Sequence, residues 1–280
     1  MNLENLIKEG SKSLKEKNIN SYILDAELLL SDVMGTSKEF LLLNGDLNIS
    51  QKKVEKYKKL IERRVQKEPI AYIVGKKEFW SHDFIVNSST LIPRPETELM
   101  LYKLVKNFKN KKINILDIGT GSGCILLSLL KELKKSKGVG IDISNLAVKT
   151  AIRNSKVLNL IQRSRFITCD VNKFNFGKYD LVVSNPPYIP TRDMKNLSQD
   201  ITNFEPYIAL NGGKDGLDLV KKVIYKASIL LKKNGLFSLE IGTNQYSEVL
   251  NIMSLYKFRI VSKEYDCNDN VRCIISTKHN

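Results

Sequence analysis

The sequence predicts an α/β fold with a mostly parallel sheet, preceded by a small all-α bundle and a β-hairpin linker. Three observations predict it. From Ile113 onward, short β-branched runs alternate with helix-length amphipathic stretches, the mark of βαβ units. The first of those runs ends in glycines at alternate positions, a turn that opens a helix N-terminus toward a ligand. The first 75 or so residues carry apolar positions at helical spacing and no strand-like run. The expected boundaries are 1–78 for the bundle, 79–95 for the hairpin and linker, and 96–280 for the sheet domain.

In the bundle, Leu3, Ile7, Leu14 and Ile19 recur near helical spacing, as do Leu24, Leu28, Leu29 and Val33. Gly35 and Gly45 punctuate, and Val54, Tyr57, Leu60, Ile61 and Val65 form another stripe. About four or five helices are expected, with packing as the role of their apolar residues. The character changes near Pro69. Phe79 to Val86 alternates apolar and polar residues, which predicts a strand or hairpin. Pro93 and Pro95 then stop regular structure, and Pro95 can open the next helix. Strands are expected at Ile113–Ile118, Gly138–Ile143, Arg165–Cys169 and Leu181–Ser184. Helices fall between them at Ile125–Lys135 and Asn145–Leu158. Runs at Gly235–Ile241 and Val271–Ser276 finish the sheet, with an antiparallel end.

Composition narrows the function. A chain of 280 residues, 42% hydrophobic and 27% charged, reads as globular and long enough to bury its own core. No apolar run reaches the roughly 18 residues of a membrane span, and the N-terminus lacks the pattern of a signal peptide. A cytoplasmic monomer is the expectation. Cys124, Cys169, Cys267 and Cys273 form no CxxC pair, and only His82 and His279 could join them. Zinc sites, disulfide frameworks and histidine-based nucleophilic catalysis are therefore disfavoured, and no metal is expected. The net charge of +15 raises nucleic-acid binding as a possibility. Yet residues 1–78 hold 15 basic and 12 acidic side chains, and heavy Lys, Asn and Ile usage fits an AT-rich coding bias.

The chemistry sits at strand ends. Asp117-Ile118-Gly119-Thr120-Gly121-Ser122-Gly123-Cys124 gives GxGxG; a dinucleotide fingerprint needs glycine at 124, where Cys124 stands. Such a loop brings backbone N–H groups close to a nucleotide-like cofactor. Asp142, at the end of the second strand, lies 19 residues beyond Gly123. An acid there suits the two hydroxyls of a ribose, the alternative being a helix cap by Asp142 or Ser144. Asp170 and Val171, at the third strand end, are placed for an adenine amino group and its apolar neighbour. Loop, ribose acid and third acid in this order resemble class I S-adenosyl-L-methionine (SAM)-dependent methyltransferases, which are Rossmann-like. The resemblance implies that Asp117 lies near the methionine part.

Asn185-Pro186-Pro187-Tyr188 follows the fourth strand. The prolines fix the backbone, remove two donors and leave rigid carbonyl acceptors. Asn185 adds a side-chain carbonyl and Tyr188 an aromatic face. A planar NH2 conjugated to a carbonyl or ring is a poor nucleophile, because its lone pair is delocalised. Acceptors from Asn185 and the Pro186 carbonyl can hold its N–H bonds and stabilise charge as it develops. The bland alternative is a rigid turn that ends a strand. The motif is similar to amino-methyltransferases of adenine N6, guanine N2 or protein glutamine N5, and does not choose among them.

The remaining motifs choose. Asp25-Ala26-Glu27-Leu28, Glu68-Pro69-Ile70-Ala71-Tyr72, Ile92-Pro93-Arg94-Pro95-Glu96-Thr97-Glu98, Phe204-Glu205-Pro206, Asp215-Gly216-Leu217 and Glu240-Ile241-Gly242 with Gln245 span the chain. Together they resemble the peptide chain release factor glutamine methyltransferases, the HemK-like enzymes. That resemblance implies methylation of the Gly-Gly-Gln glutamine of class I bacterial release factors, with S-adenosyl-L-homocysteine as product and no direct nucleic acid required. It implies cofactor contacts from Gly119, Thr120, Gly121, Ser122, Gly123, Asp142, Asp170, Val171 and Asn185. It further implies that Asn185 to Tyr188 hold the substrate amide, with Asn185 and Pro186 catalytic. Arg94 and Glu96 either order the entrance or form a structural ion pair. The runners-up are methylation of a nucleic-acid base, which must be flipped out of a duplex, methylation of a ribosomal protein glutamine, and a non-enzymatic cofactor-binding module.

Overall fold

A computed structural model describes residues 1–278; His279, named above, lies outside them. The chain divides into two compact units. One holds Met1–Gly75 with Ser198–Phe204, the other Lys76–Leu197 with the chain from Glu205 onward.

The first unit carries α1 (Leu3–Glu16), α2 (Tyr22–Met34), α3 (Lys38–Leu43), α4 (Gln51–Val65) and α5 (Ile70–Val74). Local chemistry sets their ends. The Asn2 side chain accepts from Asn5 N (3.0 Å) to cap α1, and Gly35 closes α2 in the left-handed region at φ 70°. Leu3, Leu6, Leu14, Leu29, Leu30 and Tyr57 fill the core. The stripe on α2 differs from expectation. Leu24 is exposed and Leu28 half-buried, while Asp25, Ala26, Leu29 and Leu30 face inward. The reason is an ion pair: Arg64 Nε of α4 donates to Asp25 Oδ2 (2.7 Å), with both side chains buried. Removing one partner of such a pair costs about 3–5 kcal/mol, since the other charge is left in the core.

The second unit opens with an antiparallel hairpin, β1 (Lys76–Phe79) and β2 (His82–Ile85). Its two turn residues, Trp80 and Ser81, lie at φ 51° and 57°, where Asn-Gly is usual. Trp80 is held there: its backbone N–H donates to Glu98 (2.8 Å) and its indole N–H to Glu132 (3.0 Å). A 3-10 turn at Pro95–Thr97 leads into α6 (Glu98–Phe108). The order then runs β3 (Asn114–Ile118), α7 (Cys124–Glu132), β4 (Lys137–Asp142), α8 (Asn145–Val157), β5 (Ser164–Thr168) and β6 (Tyr179–Ser184). The chain passes through α9 (Gln199–Phe204) of the first unit and returns for α10 (Asp218–Leu230), β7 (Leu231–Glu240), α11 (Tyr246–Leu255), β8 (Phe258–Tyr265) and β9 (Val271–Lys278).

The seven-stranded sheet has the order β5-β4-β3-β6-β7-β9-β8. Strands β5 to β7 are parallel, and β9 runs antiparallel to both its neighbours. The mostly parallel sheet with an antiparallel end is therefore present. Leu181, Val182 and Val183 are fully buried because helices cover both faces. One face packs on Val220, Val223 and Ile224 of α10, the other on Met100, Leu101 and Leu104 of α6 and Leu126 and Leu129 of α7. Strand β8 was not foreseen. It alternates buried or half-buried residues with exposed ones, and its polar residues Arg259, Ser262, Lys263 and Glu264 break any apolar run. The strand order reverses between β3's neighbours β4 and β6, which opens a crevice beyond the strands' carboxyl ends. The four cysteines are free thiols, and no helix among the described residues is long and apolar enough to cross a membrane.

Candidate active site

A cavity of about 390 Å³ occupies that crevice. The loop after β3 forms one wall. Gly119 N and Thr120 N donate to the Ile141 carbonyl (2.9 and 3.0 Å), tying the loop to β4. Gly119, Gly121 and Gly123 all have positive φ, at 74°, 55° and 82°. Their surroundings differ. A β-carbon at Gly119 or Gly121 would meet nothing within 4 Å, and both glycines line the cavity. One at Gly123 would press on Leu127 (3.1 Å) and Ala151 (3.2 Å), so Gly123 starts α7 and stays behind the wall.

Asp142 lines the same cavity and binds the loop from across it. Gly121 N donates to Asp142 Oδ2 and Ser144 N to Oδ1, each at 2.9 Å. The cap of α8 is Ser144, whose hydroxyl accepts from Ala147 N (3.2 Å). The helix-cap alternative therefore falls to Ser144, and Asp142 is left facing the cavity. Burial pushes its carboxyl pKa up, against the backbone N–H groups of Ser144, Gly121 and Ile143. Thr120, Ser122, Asp170 and Val171 complete this end. The turn at Asp170 is anchored from α10: buried Lys226 Nζ donates to the Asn172 carbonyl (3.2 Å) and Asn175 Oδ1 (2.7 Å).

Asp117 stands behind the lining, fully buried. Its Oδ2 accepts from the Thr120 hydroxyl (2.7 Å), and Oδ1 has no hydrogen-bond partner among the described residues. Burial pushes its carboxyl up to about 7, and the charge of Asp142 adds to this. Cys124, at the position that departs from the dinucleotide pattern, is pushed up to about 12 by burial and stays a thiol.

Asn185 and Pro187 line the opposite wall, while Pro186 is buried and, like Tyr188, outside the lining. Asn185 Nδ2 donates to Thr97 Oγ1 (3.1 Å), and the Thr97 hydroxyl donates to Glu240 Oε2 (2.6 Å). Tyr188 OH donates to Glu240 Oε1 (3.4 Å) and accepts from Arg272 Nη2 (2.8 Å). Glu240 is fully buried, and burial pushes its carboxyl up to about 7. Gln245 fixes the loop backbone by donating to the Tyr188 carbonyl (3.0 Å). A side chain at Gly212 would meet the carbonyls of Gly216 (2.6 Å) and Pro187 (2.8 Å), so only glycine fits beneath the prolines.

Arg94 pairs with Glu205 (2.5 Å) rather than with Glu96, and Glu205 also accepts from Ile92 N (3.1 Å). In the sequence Thr97, Glu205 and Glu240 stand out only as parts of motifs, and Arg272 and the cavity-lining Lys222 do not stand out at all. A lone acid in the apolar run Leu239-Glu240-Ile241 was the available signal for Glu240.

The donor set fits an adenosyl group: a carboxylate for ribose hydroxyls, glycines with free space above them, and apolar Ile118, Ile141 and Val171. The family model described as "PrmC N-terminal domain" matches residues 5–75, and the one described as "Methyltransferase small domain" matches 95–204. A methyltransferase from Pyrococcus furiosus shares the fold, with a TM-score of 0.53 at 18% identity over 71% of this chain and 89% of that one. The bifunctional methyltransferase of Rickettsia typhi is 36% identical over 97% of this chain, which spans 56% of that longer protein. The release factor glutamine methyltransferase of Rhodospirillum rubrum is 34% identical over 99% of this chain and 85% of its own. Identity at that level along nearly all of both chains means that this protein belongs to the release factor glutamine methyltransferase family.

Proposed function

We propose that the protein transfers a methyl group from S-adenosyl-L-methionine to the side-chain amide nitrogen, N5, of the Gly-Gly-Gln glutamine in class I peptide chain release factors. One observation carries this. Asn185 shares a cavity with Gly119, Gly121 and Asp142, and its NH2 is turned back onto Thr97. Its carbonyl oxygen is thereby left for a substrate N–H.

Bound in the crevice, the cofactor supplies a methyl group on a sulfonium centre. Asp142 would accept hydrogen bonds from the ribose hydroxyls, and Asp170 with Val171 would border the adenine. Asn185 Oδ1 would accept one N–H bond of the glutamine amide, and the backbone carbonyl of Pro186, a residue just outside the lining, would accept the other, turning the nitrogen toward the methyl. As charge develops on nitrogen, these acceptors stabilise it where it appears. As the bond from nitrogen to the methyl forms, the methyl–sulfur bond breaks and its electron pair stays on S-adenosyl-L-homocysteine, while the surplus amide proton passes to solvent. Alignment lowers the remaining barrier, because the reacting groups no longer have to find each other. We take the protein to be a cytoplasmic monomer.

Purified protein, labelled S-adenosyl-L-methionine and an unmethylated release factor test the reading, with the modified residue mapped by mass spectrometry. One methyl on the Gly-Gly-Gln glutamine is expected. Transfer to RNA, DNA or a ribosomal protein instead, with none to the release factor, overturns the substrate.

A further inference from the structure

We propose that Thr97 and Glu240 are positioning residues that decide which end of the Asn185 amide faces the substrate. This rests on the glutamine-methylation reading and deepens it. An Asn side chain is nearly symmetric in shape, so packing alone does not choose between its oxygen and its NH2. Here the choice is made by a chain of hydrogen bonds with a fixed direction. Glu240 as a carboxylate can only accept, so it takes the one proton of the Thr97 hydroxyl (2.6 Å). Thr97 Oγ1 then has only lone pairs left for Asn185, and only the Asn185 NH2 can face them (3.1 Å). The Asn185 oxygen is forced to the side away from Thr97; both residues border the cavity, so the amide's orientation decides which group it offers there. With the amide reversed, the substrate NH2 would meet a donor and lose its acceptor.

The chain is insulated and anchored. Thr97 is 3% and Glu240 1% exposed, so water does not compete for these bonds. Glu240 is faced by Tyr188 from the loop after β6 (3.4 Å), by Arg272 of β9 (3.9 Å) and by the charge of Glu96 in the 3-10 turn. Arg272 also holds Tyr188, so the direction of the chain is set from the antiparallel end of the sheet. Protonation reverses it. A neutral Glu240 can donate to Thr97, whose own proton is then free to bond the Asn185 oxygen and hold the amide the wrong way round. Burial pushes the Glu240 carboxyl up to about 7, against the bonds from Thr97 and Tyr188 and the charge of Arg272, so the reversal falls within an accessible range.

Thr97→Val, Thr97→Ser and Glu240→Gln are compared with the full-length wild type on an intact release factor. The readouts are kcat, KM, S-adenosyl-L-homocysteine affinity and thermal midpoint. Thr97→Val is expected to lower kcat about tenfold or more, with product affinity changed less than about threefold and Thr97→Ser restoring most of the rate. In an Asn185→Ala background Thr97→Val should cost nothing further, because the group it orients is gone. The wild-type kcat at saturating cofactor should fall as pH drops through about 7. Glu240→Gln, whose amide can donate at any pH, should be slow and lack that limb. An active wild type whose kcat is untouched by Thr97→Val overturns the positioning role and leaves the methylation reading standing. So does a Thr97→Val cost that persists in full without Asn185, which is the mark of a merely structural residue. A wild type that does not methylate the release factor overturns both.

Discussion

Asp117→Asn should remove much of a pH dependence of stability that the wild type carries. Asp117 is fully buried, and burial holds its carboxyl at about 7 against an ordinary aspartate value of 3.8. A folded-state pKa above the unfolded one means that the folded protein keeps a proton the unfolded chain has lost. The stabilisation is fully present below pH 3.8 and is lost as pH rises through about 7. Each pKa unit between the two states is worth about 1.36 kcal/mol, which caps the loss at about 4 kcal/mol. Glu240, pushed up to about 7, contributes in the same direction, so wild-type stability alone does not isolate Asp117. The difference between variant and wild type does. Asn keeps an oxygen for the Thr120 hydroxyl and has no charge to bury. Urea unfolding of both proteins at several pH values from about 5 to 8 should show the variant gaining on the wild type as pH rises, by up to a few kcal/mol. A difference that stays constant across that range would show that Asp117 ionises as freely folded as unfolded, and the burial argument would fail.

Asn185→Ala should leave cofactor binding within about tenfold while lowering turnover 10²-fold or more, measured by calorimetry and by methyl transfer to a release factor. Gly121→Ala places a β-carbon at the cavity and an L-residue at φ 55°; S-adenosyl-L-homocysteine affinity should fall about tenfold or more for a stability cost of about 1 kcal/mol. Lys226→Met frees the turn at 170–175 from α10. Cofactor affinity should drop with kcat at saturation nearly unchanged, and an unaltered affinity would separate that turn from the adenine end. Arg64→Met strands the Asp25 carboxylate in the helical unit and should cost about 3–5 kcal/mol in urea unfolding, much of it recovered in the Arg64→Met/Asp25→Leu double variant.

What the sequence shows depends on how locally each feature is written. The βαβ alternation, the glycine loop and the Asn-Pro-Pro-Tyr turn are runs of consecutive residues, and their periodicity carries the backbone geometry directly. Asp142 was readable because parallel pairing aligns strand ends: Asp117 sits opposite Gly140, so the end of β4 must face the loop that leaves β3. The interior of the α2 stripe was not readable. A buried Asp25 contradicts the hydrophobic pattern, and only the partner 39 residues away explains it. Strand β8 shows the same limit at a sheet edge, where half the residues are meant for water.

The wall that carries Asn185 shows it more sharply. Thr97 and Glu240 are 143 residues apart, and Arg94 and Glu205 are 111 apart. No periodicity links such pairs: Thr97 sits in the turn before α6 and Glu240 at the end of β7, while Arg94 and Glu205 lie outside helices and strands altogether. The basic excess likewise has a partly structural destination. Lys178 and Lys278 donate to the Ile229 and Ser228 carbonyls at the end of α10, and Lys226 holds the turn beside Asp170. Lysines at a helix C-terminus satisfy carbonyls that have no partner within the helix and offset its negative end. These three ammonium groups are committed to the protein's own backbone.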